Sequence, residues 1–163
     1  MMLTFDTESR TTEADHLAIR LWLRMLACTN LVGRRVAVKL RDAHATTLPR
    51  FDFLSQLERS PDGLRMTEIS RRMMVTAGNI TRLADQLVAE GLITRTPAAD
   101  DRRAAIVQLT ARGRRIFDQM AREHEGWIVA MFDGLDEGER HALFDLLGRL
   151  KRHLNTGDDG RPR

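Results

Sequence analysis

A chain of 163 residues, 42% of them apolar, is long enough for one folded domain with an oligomerisation extension. Only 5% is aromatic and tyrosine is absent, which disfavours base stacking on single-stranded nucleic acid as a main binding mode. The net charge of +3 is unevenly placed: residues 65–115 hold ten arginines against five acids, while the remainder is slightly acidic.

In chain order, residues 1–14 read as a flexible polar arm, without an apolar core long enough for a signal peptide. From Asp15 to Arg41 a long helical pattern runs with no proline. Its apolar residues Leu17, Ile19, Leu21, Trp22, Leu23, Met25 and Leu26 are spread nearly all around the axis, so more than one side needs cover. A partner subunit is the expected cover. His16, Arg20, Arg24 and Cys28 form a column at four-residue intervals on this helix. Cys28 is placed well inside an apolar segment, where a thiol is buried and inert. As a lone cysteine it excludes an internal disulfide and fits a reducing compartment. Ala43–Thr47 is a connection, Pro49 opens a short helix carrying Phe51, Phe53, Leu54 and Leu57, and Ser60–Gly63 is a turn.

Next come two helices joined by a tight connection at Met74 and Val75. Thr67 is expected to cap the first, with Ile69 and Met73 on its apolar face. Thr76 caps the second, where Ile80, Leu83, Ala84 and Leu87 make one inward stripe and Gly91 ends the helix. Its outward face carries Ala77, Gly78, Asn79, Thr81, Arg82, Asp85 and Gln86, the part a helix-turn-helix offers to base edges. Leu92–Pro97 and Ala104–Leu109 are β-prone and flank a charged loop that ends in Arg102 and Arg103. Thr110 caps a helix over 111–131 with Ile116, Phe117, Met120, His124, Trp127 and Met131 on one face. A break at 133–138 precedes a last amphipathic helix carrying Leu143, Leu146, Leu147, Leu150 and Leu154, and residues 156–163 read as a disordered tail.

Helix, turn, helix and basic-tipped hairpin follow the order of a winged helix-turn-helix. The stretch resembles the MarR family of bacterial transcription regulators. The matching residues are Thr67–Glu68–Ile69, Asn79–Ile80–Thr81–Arg82–Leu83, Glu90–Gly91–Leu92–Ile93, Asp101–Arg102–Arg103 and Leu109–Thr110–Ala111–Arg112–Gly113. The resemblance implies a mainly α chain with a small two- to three-stranded β wing. The winged helix-turn-helix would span 59–113, with a helical dimerisation region from both chain ends, 15–58 and 114–155. It further implies a homodimer on double-stranded palindromic DNA, acting as a repressor and released by a small effector such as an aromatic acid or an acyl-CoA thioester. Two half-sites about 34 Å apart, each read at roughly 1–3 kcal/mol per base pair, give a physical reason for two copies.

The expected DNA-contacting residues follow from these positions. Asn79, Thr81, Arg82 and Gln86 face bases or phosphates, while Thr76, Ala77 and Gly78 keep the helix start narrow for a phosphate. Asp85 would repel phosphate, so it is expected to pair with Arg82 or a wing arginine. Arg95, Arg71 and Arg72 are expected on the DNA backbone. By the resemblance, an arginine of the Arg102–Arg103 tip enters the minor groove and Asp101 positions an arginine. His16, Arg20 and Arg24 are the candidate effector contacts, since guanidinium groups suit carboxylate and phosphate. An alternative is an architectural DNA-binding protein without sequence preference, and another is redox sensing through Cys28. No enzyme is expected: His124–Glu125 opens like a zinc-protease motif, but Ile128 stands where the second histidine belongs. No metal or other cofactor is called for. No apolar run approaches a membrane span, so a cytoplasmic location is expected.

Overall fold

The computed structural model describes residues 16–98, 101 and 104–156. The arm expected over 1–14 and the tail beyond Thr156 lie outside the described residues. Six helices and three strands follow one another: α1 (Leu17–His44), α2 (Leu48–Glu58), β1 (Leu64–Arg65), α3 (Met66–Met73), α4 (Ala77–Ala89), β2 (Ile93–Pro97), β3 (Ala105–Leu109), α5 (Ala111–Met131) and α6 (Glu137–Thr156). The described chain forms two compact units that divide within α5, between Glu125 and Gly126.

In the first unit the core is assembled from α2, the sheet and the inner stripe of α4. Pro49 lies in the first turn of α2, where its fixed φ suits a helix start and its missing N–H leaves nothing unpaired. Phe51, Phe53, Leu54 and Leu57 of α2 are all buried, as are Ile69 of α3 and Ile80, Ala84 and Leu87 of α4. Leu83 is only half-buried, so the expected inner stripe narrows at that position. Of α1 only Val36 and Leu40 are buried, and Trp22 is 58% exposed. In its N-terminal half Leu17, Ile19, Leu21, Trp22 and Leu26 are exposed, while Leu23 and Met25 are half-buried.

The sheet is antiparallel with order β1-β3-β2, pairing Leu64 with Val107 and Ile93 with Leu109. Pro97 ends β2 at the sheet edge, where a missing donor costs no ladder bond. The short β1 changes the start of α3. Arg65 is extended in β1 and precedes α3 without a side-chain cap, and Thr67 lies inside the helix rather than capping it. Pairing of Arg65 with Ile106 fixes the backbone there and starts the helix before a hydroxyl is needed.

Thr110 caps α5 as expected: its hydroxyl accepts from the Gly113 amide at 2.9 Å and donates to the Gly91 carbonyl at 2.7 Å. A Cβ on Gly113 would lie 1.9 Å from the Leu92 carbonyl oxygen, so only glycine lets α5 approach the α4–β2 connection this closely. Further along α5, the Phe51 ring stacks on Phe117 with centroids 5.4 Å apart and on His124 at 4.7 Å. His44 Nε2 at the end of α1 lies 3.2 Å from Glu123 Oε2.

In the second unit α6 opens with a reciprocal capping box, Asp136 Oδ1 accepting from the Glu139 amide and Glu139 Oε2 from the Asp136 amide. None of the residues of α6 is buried, and Phe144, Leu146 and Leu154 are each more than half exposed. Among the described residues no helix is long and apolar enough to cross a membrane.

Candidate nucleic-acid interface

The connection between α3 and α4 is held by its own backbone. Met74 adopts a left-handed conformation (φ 54°) that ends α3, and the Ser70 hydroxyl donates to the Val75 carbonyl at 2.6 Å. A left-handed methionine costs about 1–2 kcal/mol more than glycine there, yet Met74 is 92% exposed and buries little in return. The turn delivers Thr76 to the N-cap of α4, where its hydroxyl accepts a long bond (3.5 Å) from the Asn79 amide.

All of the expected contact residues on α4 lie on its outer surface: Thr76, Ala77, Gly78, Asn79, Thr81, Arg82 and Gln86 are exposed. They are presented on one exposed face because Ile80, Ala84 and Leu87 anchor the opposite one. Thr81 donates its hydroxyl proton to the Ala77 carbonyl at 3.0 Å, so toward a ligand it offers a methyl group and acceptor lone pairs. Asp85, the one acid on this face, accepts from Arg95 Nη1 at 2.5 Å. This pair ties the base of the hairpin to α4 and answers the alternative left open for Asp85 in favour of a wing arginine. Arg95 is accordingly a brace between the two elements as well as a positive charge at the surface.

Arg71 and Arg72 both bond the Glu68 carboxylate, at 2.8 and 2.7 Å. These two bonds hold its pKa down at about 2, and they neutralise part of the positive charge expected for the DNA backbone on α3. At the hairpin tip Asp101 is exposed, and its carbonyl accepts from the Ala104 amide at 2.9 Å. Arg102 and Arg103 lie outside the described residues.

Two features escape a reading of the chain by local pattern. Arg50, on the first turn of α2, forms an ion pair with Glu90 at the end of α4. Its buried Nε has no hydrogen-bond partner among the described residues. With Arg82, Asn79 and Gln86 it lines a groove of about 490 Å³ along α4. Forty residues separate Arg50 from Glu90, so only the fold brings them together. The second feature is a correction. Cys28 is exposed, because the apolar segment around it is not packed within this unit. It shares the exposed side of α1 with Arg20 and Arg24, while His16 is half-buried, its Nδ1 without a hydrogen-bond partner among the described residues. Among the described residues no group of three or more histidine, cysteine or carboxylate side chains could hold a metal ion.

Comparison with known proteins locates the same region. Residues 46–104 match the model of the MarR family. The transcriptional activatory protein BadR of Rhodopseudomonas palustris is 26% identical over 161 residues, covering 94% of this chain and 91% of BadR. The HTH-type transcriptional regulator PecS of Dickeya dadantii is 28% identical over 131 residues, 79% of each chain. Among solved structures, a mutant MarR from E. coli complexed with operator DNA superposes with a TM-score of 0.73 at 22% identity. That likeness covers 85% of this chain and 99% of MarR, and it shows the fold.

Proposed function

We propose that the protein is a DNA-binding transcriptional regulator of the cytoplasm, a homodimer that recognises a palindromic operator, a reading supported by the match of residues 46–104 to the MarR-family model. The observation that carries this reading is the outer face of α4. It is capped at Thr76, exposes Asn79, Thr81, Arg82 and Gln86 together, and has its single acid held by Arg95. Asparagine and glutamine present paired donor and acceptor groups suited to adenine, and arginine presents a fork suited to guanine or phosphate. The domain reading that goes with it assigns DNA contact to 59–113 and dimerisation to 15–58 and 114–155. The exposed apolar residues of α1 and α6 support it, since each is a surface that a second copy can cover.

The regulator acts as a repressor in this reading, although BadR is named as an activator. A small anionic effector, an aromatic acid or an acyl-CoA thioester, releases it by binding the off-DNA arrangement more tightly. The His16 Nδ1, without a partner among the described residues, lies on the same helix column as Arg20 and Arg24 and supports an anion contact on α1.

The test is selection of duplexes from a random pool, followed by titration of the selected site. Arg82→Ala should weaken binding by about 1–3 kcal/mol while leaving the dimer intact. Equal affinity of the parent for selected and scrambled duplexes at matched salt would favour an architectural protein instead. Release of bound DNA by benzoate-type acids or acyl-CoA thioesters should disappear in Arg20→Ala/Arg24→Ala. Release that persists unchanged in this variant removes α1 as the effector contact.

A further inference from the structure

The positive charge of residues 65–115 is not the only concentration in the molecule. Residues 17–51 contain seven arginine or lysine residues and a single acid, Asp42. Four of the seven, Arg34, Arg35, Lys39 and Arg41, fall on the C-terminal turns of α1. Arg34 and Arg41 are two helical turns apart and share a face with Val38, which lies between them. They line a groove of about 440 Å³ whose far wall is the Thr46–Pro49 segment leading into α2. Thr47 and Pro49 also line the groove along α4 that contains Arg50 and Arg82. The two grooves therefore adjoin at Thr47 and Pro49, with Arg34 and Arg41 lining one and Arg50 and Arg82 lining the other.

Arg50 is paired with Glu90, so the charge that remains in the two grooves is that of Arg34, Arg41 and Arg82. Arg41 bonds Asp42, its own neighbour, in a pair so exposed that it contributes little. Arg34 Nε bonds the Asn30 carbonyl of its own helix, which leaves its charge intact. Arginines in two adjoining grooves, one of them bordered by α4, are complementary to an extended polyanion. A small carboxylate would engage one of these arginines, whereas a nucleic-acid backbone engages the series.

We infer that the DNA-contact surface continues from α4 across Thr47 and Pro49 onto the end of α1, where Arg34 and Arg41 bind sugar-phosphate backbone flanking each half-site. The inference rests on the DNA-binding reading above and extends it beyond the helix-turn-helix and the wing. These contacts add affinity that does not depend on sequence, because phosphates carry no base information. They also place part of the DNA grip on α1, the helix to which the effector contacts are assigned.

The experiment uses the full chain and a selected duplex with about ten additional base pairs on each side. Affinity is measured across a salt series for the parent and for Arg34→Gln/Arg41→Gln. Loss of two phosphate contacts should reduce the salt slope by about 1.8, so the affinity lost between about 50 and 200 mM salt becomes about twelvefold smaller. The preference for selected over scrambled sequence should stay at the parental ratio. On a duplex trimmed to the two half-sites the parent and the variant should bind alike. A charge-matched control, Arg122→Gln/Arg149→Gln, should keep the parental slope. The inference is overturned by an unchanged slope in Arg34→Gln/Arg41→Gln, or by an equal reduction in the control. A parent that binds no duplex above background rejects the DNA-binding reading itself, a result separate from either.

Discussion

Glu68 shows how single residues set the electrostatics of α3. Its carboxylate is bonded by Arg71 and Arg72, and these hydrogen bonds lower its pKa to about 2 from an ordinary 4.5. A carboxylate whose folded pKa is depressed contributes stability above its unfolded pKa and loses it as pH falls through the folded value. Acid titration from about pH 4.5 toward 2 should therefore erode the stability of the parent, and Glu68→Gln should flatten that dependence. Urea midpoints measured across this window test it, and parallel curves for the two proteins would exclude the role. The same trio could not be resolved from sequence alone. Spacings of three and four place Arg71 and Arg72 beside Glu68, yet they fit equally well with arginines reaching for DNA. Asp85 differs, because a carboxylate on a DNA-facing surface is itself a reason to look for a cation, and Arg95 is that cation.

At the scale of elements, the junction of α4, β2 and α5 has the least tolerance. Thr110 bridges Gly91, Leu92 and Gly113, and Arg112 Nη1 donates to the Glu90 carbonyl at 2.7 Å. Gly113→Ala would force a Cβ into the Leu92 carbonyl, and a backbone carbonyl cannot yield as a flexible side chain can. We expect a loss of about 3 kcal/mol in chemical denaturation, accompanied by weaker operator binding as β2 shifts relative to α4. Denaturation indistinguishable from the parent would show that the junction relaxes at little cost. Much of this element was legible: Thr76, Thr110 and Gly91 were each placed correctly by short-range rules. Thr67 was not, since the competing pairing of Arg65 with Ile106, 41 positions away, decides where α3 begins.

At the scale of the whole molecule, the apolar residues of α1 and α6 exceed what each compact unit covers for itself. Phe144 is 76% exposed, and Leu143, Leu146, Leu147 and Leu154 continue the same surface along α6. A second copy offers the same surfaces in return, as a two-fold interface requires. In the proposed homodimer, Leu147→Glu should weaken association about a hundredfold, or roughly 3 kcal/mol, by placing a carboxylate in an apolar surface. Sedimentation equilibrium measures this directly, and an unaltered dimer would move the interface away from α6. Operator affinity should fall in parallel, because a palindrome gains from two linked half-site contacts.

The sequence by itself determined the mainly helical architecture, the turn and cap that begin α4, and the side chains α4 displays. All of these follow from periodicities and hydrogen bonds spanning a few residues, which any local stretch expresses regardless of the remainder. Tertiary structure alone decided which charges meet: Arg50 with Glu90, and Arg95 with Asp85. It also left Cys28 exposed where its apolar neighbours suggested burial. Contacts between distant positions depend on the path of the chain through the core, and a pattern read along the chain carries no record of that path.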